Sequence, residues 1–134
     1  MTGLDTNVLV RLLTADNREQ HQLASAYVRA HCTTETPGFI NRVVLVELVW
    51  VLESAYEYAR DEIATAVEGV LRTSELTIEN ASSAWKAVAA YREGADFADA
   101  MIAATNEEVG AERTVTLDER AAKRIPQLLL LKKT

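Results

Sequence analysis

The most distinctive hydrophobic pattern lies between residues 43 and 52, where every position except Glu47 is apolar. A helix built from this run has no polar face, and such a helix is buried in a core or against a second subunit. An ionised carboxylate that leaves water without a partner is strongly destabilising. We therefore expect Glu47 to be buried with a partner, which is either an arginine such as Arg42 or Arg11 or a cation shared with other acids.

Helical periodicity also appears in several other segments, most of them introduced by a residue that favours a helix N-cap. Asn41 is the expected N-cap of the helix that carries Glu47, and an apolar run also follows Asp5. Trp50 and Trp85 are expected in the core, because isolated aromatic residues at helical spacing usually pack there. The other predicted helices run from about Arg18 to His31, Asp61 to Arg72, Asn80 to Arg92, Asp96 to Thr105 and Glu119 to Ile125.

Short apolar runs between these helices predict strands. They cover Gly3 to Asp5, Phe39 to Ile40, Leu76 to Ile78, Arg113 to Asp118 and Leu128 to Leu131. Strands that alternate with helices indicate an α/β fold with a short, mainly parallel central sheet flanked by helices. In such sheets, ligands bind at the carboxyl ends of the strands.

Length and composition narrow the class of protein. A chain of 134 residues, 49% of them apolar, predicts a single domain spanning residues 1–134. One cysteine, Cys32, and two histidines cannot form a zinc site of the usual composition. Without a leader sequence or an apolar run of the ~18 residues that cross a bilayer, the expected location is the cytoplasm, away from membranes. The net charge of −6 argues against binding nucleic acid through bulk charge.

Four acids are candidates for one site. Asp5 and Asp118 close predicted strands, whereas Glu47 and Asp99 lie near the start of apolar helices, so a parallel sheet would bring all four to one crevice. Helix capping is the competing interpretation for Asp5, and Asp96 with Asp99 has the spacing of a capping box.

The grouping of carboxylates indicates metal-ion chemistry. Neighbouring carboxylates repel one another and raise one another's pKa, and a bound divalent cation offsets this repulsion. Ligands that are all oxygen atoms favour Mg²⁺ or Mn²⁺. Such ions activate water and stabilise the leaving oxygen, so the reaction class that fits is phosphodiester hydrolysis.

Four acidic motifs follow one another along the chain, namely Leu4–Asn7, Val46–Trp50, Asp96–Ala103 and Thr116–Asp118. Together they resemble the motifs of the PIN-domain ribonucleases, and more narrowly those of the VapC toxins of bacterial and archaeal toxin–antitoxin modules. The resemblance extends from Gly3 to Leu131. It departs from the family pattern at Leu117, where an aromatic residue is frequent, and at Ile125–Pro126, where a glycine often follows the helix.

The resemblance implies a PIN-like α/β/α sandwich and a Mg²⁺- or Mn²⁺-dependent endoribonuclease that cleaves RNA. It also implies a homodimer and a cognate antitoxin whose C-terminal segment occupies the active site. The RNA that is cut stays open among transfer, ribosomal and messenger RNA. By position, the catalytic and metal-binding acids would be Asp5, Glu47, Asp99 and Asp118. Supporting roles would fall to Thr6, Asn7, Asp96 and Thr116.

Two other functions fit parts of the sequence. In a non-catalytic homodimeric interaction protein, the acids would be helix caps and the Glu47 helix would form the dimer interface. In a phosphatase, Asp5 would be the nucleophile, although such enzymes expect a second acid where this chain has Asn7.

Overall fold

The computed structural model describes residues 1–133, and in that range seven helices flank five short strands that all pair in parallel. The helices are α1 Thr6–Leu13, α2 Arg18–His31, α3 Arg42–Ser54, α4 Arg60–Leu71, α5 Ala81–Arg92, α6 Phe97–Glu108 and α7 Glu119–Arg124. The strands are β1 Thr2–Gly3, β2 Gly38–Ile40, β3 Leu76–Ile78, β4 Thr114–Thr116 and β5 Leu128–Leu130. The predicted α/β fold is confirmed.

The chain divides into two compact units, and the boundary falls at the start of α5. In the first unit, residues 1–81, β2 lies between β1 and β3, with Ile40 opposite Ile78. Gly38 allows this close packing, because a Cβ atom at that position would come within 3.0 Å of side-chain atoms of Cys32, Leu4 and Leu76. The helix α3 packs against α1 and α4 and supplies much of the buried core.

The second unit, from residue 82 onward, pairs β4 with β5 and carries α5, α6 and α7. Its core contains Tyr91 and Phe97, whose rings meet edge to face with centroids 5.9 Å apart. The helix α6 buries three alanines, Ala100, Ala103 and Ala104, and small side chains of this kind allow close packing.

Element boundaries agree with the sequence in most places. The helix from Arg18 to His31 and the strand from Leu76 to Ile78 are confirmed, and Asn41 caps α3 by accepting a hydrogen bond from the Val44 N–H at 2.9 Å. Asp61 as an N-cap was wrong. The cap position is Ala59, whose N–H donates to the Glu62 carboxylate at 2.9 Å, so the helix begins before Asp61.

The strands form two hydrogen-bonded groups, one of three strands (β1, β2 and β3) and one of two (β4 and β5). Each strand has only two or three residues, so each forms few backbone hydrogen bonds. Among residues 1–133, no helix is long and apolar enough to cross a membrane.

The helix α3 differs from its prediction, because it is not buried on all sides. Its packed face holds Val44, Leu45, Leu48, Val49 and Leu52, all at most 7% exposed. The opposite face exposes Glu47 together with two large apolar side chains, Val43 at 65% and Trp50 at 66%. The predicted burial of Glu47 and of Trp50 was therefore wrong. A run that is apolar at nearly every position cannot indicate which face of the helix packs.

Candidate functional site

In the first unit, Glu47 is held by Thr6. The Thr6 hydroxyl donates a hydrogen bond to Glu47 Oε1 at 2.7 Å, and Thr6 itself is only 7% exposed. Thr6 is the first residue of α1 and directly follows Asp5. The bond therefore fixes the carboxylate of Glu47 beside the backbone that carries Asp5.

The two arginines considered as partners of Glu47 have acidic partners elsewhere. Arg42 lies 3.3 Å from Glu79, and Arg11 lies 3.3 Å from Asp16. Glu79, which directly follows β3, also accepts a hydrogen bond from the Arg42 N–H at 3.0 Å. Sequence reasoning overlooked this residue. Its position could have indicated it, because Glu79 is an acid directly after the predicted strand from Leu76 to Ile78.

Asp5 occupies the N-cap position of α1 but does not act as a side-chain cap. Its backbone carbonyl accepts hydrogen bonds from the N–H groups of Val8 and Leu9, whereas its carboxylate caps no N–H group of the helix. The side chain is exposed. The capping interpretation thus does not account for the carboxylate, which faces solvent where a ligand could reach it.

In the second unit, two of the candidate acids do cap helices. Asp96 accepts a hydrogen bond from the Asp99 N–H at 3.0 Å, and Asp118 accepts one from the Ala121 N–H at 3.0 Å. The Asp118 N–H in turn donates to Thr116 Oγ1 at 3.0 Å. A carboxylate has about four lone-pair sites, so one cap bond leaves capacity for a metal ion.

Asp99 lies in an unfavourable environment for a negative charge. Burial raises the pKa of its carboxyl, and the negative charges of Asp96 and Asp118 raise it further. The three carboxylates are therefore electrostatically coupled. A bound cation would relieve this repulsion.

The four predicted ligands are shared between the units, with Asp5 and Glu47 in the first and Asp99 and Asp118 in the second. Among residues 1–133, no three His, Cys, Asp or Glu side chains form a group that could hold a metal ion by itself. A single centre of four carboxylates therefore stays a prediction. These carboxylates supply oxygen ligands, which fit Mg²⁺ or Mn²⁺. Such an ion would offset the burial and the neighbouring negative charges that raise the pKa of Asp99.

Comparison with known proteins identifies the family. The sequence profile of the PIN domain matches residues 4–127. The chain belongs to the PIN domain family. PIN domains are generally nucleases and typically use divalent metal ions. No curated protein matches this PIN domain in sequence. The family prediction is confirmed, while the narrower resemblance to VapC toxins stays a prediction.

Proposed function

We propose that this PIN domain is a cytoplasmic, Mg²⁺- or Mn²⁺-dependent endoribonuclease that hydrolyses RNA phosphodiester bonds. The observation that carries the proposal is the bond from Thr6 to Glu47. It holds an exposed carboxylate on an apolar helix face, beside the residue that follows Asp5. A residue at this position with only a packing role would be apolar and would need no hydrogen bond from Thr6.

The metal-binding acids would be Asp5, Glu47, Asp99 and Asp118. When bound, a divalent cation supplies an activated water and neutralises charge on the phosphate. The protein's own contribution is orientation. Thr6 fixes the rotamer of Glu47, and Thr116 anchors the backbone of Asp118.

Two further polar residues would support the acids. Asp96 fixes the first turn of α6, from which Asp99 projects, and it would serve as an accessory acid. Asn7 is exposed as the second residue of α1, where its amide could orient water or a phosphate oxygen.

The toxin role is a second part of the proposal, and the surface around α2 supports it. None of the 14 residues of α2 is buried, and Leu23 and Tyr27 are 65% and 46% exposed. These two side chains line a groove of about 670 Å³ that also reaches Gly3, Leu4 and Asn7, on either side of Asp5. Exposed apolar surface of this kind marks interaction sites. We assign the groove to an apolar segment of the cognate antitoxin.

From this groove, an antitoxin could deliver an arginine or lysine to the acids, because charge-assisted hydrogen bonds to carboxylates are strong. Leu23→Asp should weaken inhibition by the antitoxin and leave RNA cleavage by the free protein unchanged. Unchanged inhibition would exclude the groove as the antitoxin site.

A homodimer is also proposed, on the basis of the family resemblance. Sedimentation at micromolar concentration should return the mass of a dimer. A monomer at that concentration would contradict this part of the proposal.

The deciding experiment is cleavage of total RNA by the purified protein with Mg²⁺ or Mn²⁺, compared with an EDTA control and Asp99→Asn. Glu112→Gln is the matched control, because it removes one negative charge from an exposed residue of the same unit. Discrete fragments should form with the wild type and with Glu112→Gln, and should be lost with EDTA and with Asp99→Asn. Cleavage that persists in Asp99→Asn would contradict the assignment of the site.

A further inference from the structure

The exposed face of α3 places a tryptophan next to the candidate catalytic acid. Val43, Glu47 and Trp50 are four and three residues apart, so they lie on one side of the helix. Trp50 is 66% exposed. Within residues 1–133 its indole has neither a hydrogen-bond partner nor a ring partner. A large aromatic surface is thus left open to solvent beside the site.

The helix geometry directs this surface toward Glu47. Residues three apart on a helix have Cβ atoms about 5–6 Å apart. Long helical side chains lean toward the N-terminus, over the preceding turn. Trp50 therefore lies one turn from Glu47 on the same side of α3, within reach of a nucleotide whose phosphate lies at that acid.

The character of the face favours RNA over a second copy of the chain. The centres of protein–protein interfaces are depleted of charged residues, and a carboxylate enclosed there loses its hydration. Glu47 lies between Val43 and Trp50, so an interface centred on this face would enclose it. Stacking a base on one side of the indole leaves Glu47 accessible.

We propose that Trp50 stacks on an unpaired base of the RNA strand, next to the bond that is cut. This inference rests on the proposed nuclease function of the site at Glu47. Bases inside a duplex do not offer a free face, whereas unpaired bases stack readily on aromatic side chains. The base that stacks on Trp50 is therefore an unpaired one.

The first test measures stacking without requiring cleavage. In Trp85→Phe, Trp50 is the only tryptophan, and its fluorescence can be titrated with a single-stranded oligoribonucleotide in EDTA and in Mg²⁺. Saturable quenching is expected, and it should be much weaker with an abasic strand of the same length. If neither condition gives saturable quenching, the proposal is overturned.

The second test measures cleavage of a single-stranded oligoribonucleotide. Trp50→Ala should raise KM about tenfold, with a smaller effect on kcat. The reason is that stacking one base on an aromatic side chain strengthens binding about tenfold. Trp50→Phe should restore much of the loss. Val43→Ala is the matched control, because Val43 is equally exposed on the same face, and it should behave as the wild type.

The outcomes separate this inference from the proposed function. Quenching without metal-dependent cleavage would support stacking on Trp50 and would contradict the proposed nuclease function. Cleavage by Trp50→Ala with wild-type kinetics would support the proposed nuclease function and would contradict stacking on Trp50. If Trp50→Ala instead converts a dimer to a monomer and Trp50 shows no quenching, the face is an interface between copies and the inference fails.

Discussion

At the scale of single residues, the candidate acids carry the same carboxylate group but lie in different environments. Asp5 and Glu47 are exposed, and Glu47 is held by a threonine. Burial raises the pKa of the Asp99 carboxyl, and the negative charges of Asp96 and Asp118 raise it further. A bound cation would stabilise the ionised form of such a carboxylate.

The bond from Thr6 to Glu47 can be tested directly. Thr6→Val keeps the shape and removes the hydroxyl, so Glu47 should lose its fixed orientation. Hydrogen bonds to charged groups are worth roughly 1.5–3 kcal/mol, so kcat/KM for RNA should fall about tenfold or more. Thr6→Ser keeps the hydroxyl and should retain most activity. Equal activity in Thr6→Val and the wild type would show that the bond has no catalytic role.

The raised pKa of Asp99 predicts that the stability of the protein depends on pH. Because its folded-state pKa is raised above 3.8, the stability linked to its protonation is fully present below that pH. That stability is lost as pH rises through the folded pKa. In EDTA at pH 7, Asp99→Asn should therefore melt at a higher temperature than the wild type, and the difference should vanish near pH 3.5. A lower melting temperature for Asp99→Asn at pH 7 would contradict this account, and Glu112→Gln controls for net charge.

At the scale of elements, helix starts position the acids. The helices α6 and α7 are both preceded by an N-cap aspartate whose side chain accepts a hydrogen bond from the first turn. The N-cap aspartate of α1 accepts no such bond. The same residue type at the same structural position thus has two roles, which sequence alone does not distinguish.

Asp96 allows the structural role to be separated from the functional one. Asp96→Ala removes the cap of α6 and should lower the free energy of unfolding by about 1 kcal/mol. Asp96→Asn keeps an N-cap oxygen and should be nearly as stable as the wild type. If Asp96 is also an accessory acid, RNA cleavage should fall in both variants. Full activity in Asp96→Asn would restrict Asp96 to capping.

At the scale of the whole molecule, the PIN family match spans residues 4–127 and thus includes all four candidate acids. Each compact unit supplies two of them. Under the proposed function, a cation bound by these acids would stabilise the native chain relative to the unfolded one, since the unfolded chain does not hold metal ligands together.

Metal binding should therefore appear as thermal stabilisation. With Mn²⁺ at a hundred times its Kd, the native state should gain about 2.7 kcal/mol, measurable as a rise in Tm that EDTA reverses. Glu112→Gln should show the same rise, whereas Asp5→Asn and Asp99→Asn should show little. A Tm that is unchanged by Mn²⁺ in the wild type would favour the non-catalytic interaction protein.

The sequence by itself determined the helices, the parallel strands and the family, because hydrophobic periodicity, cap residues and the four acidic motifs are local features of the chain. It also singled out Glu47 as an acid in an apolar run. Only the tertiary structure decided that Glu47 and Trp50 are exposed, that Thr6 holds Glu47, and that Arg42 pairs with Glu79. These features depend on which face of α3 packs against α1 and α4, and a helix that is apolar nearly all round carries no local signal for that choice.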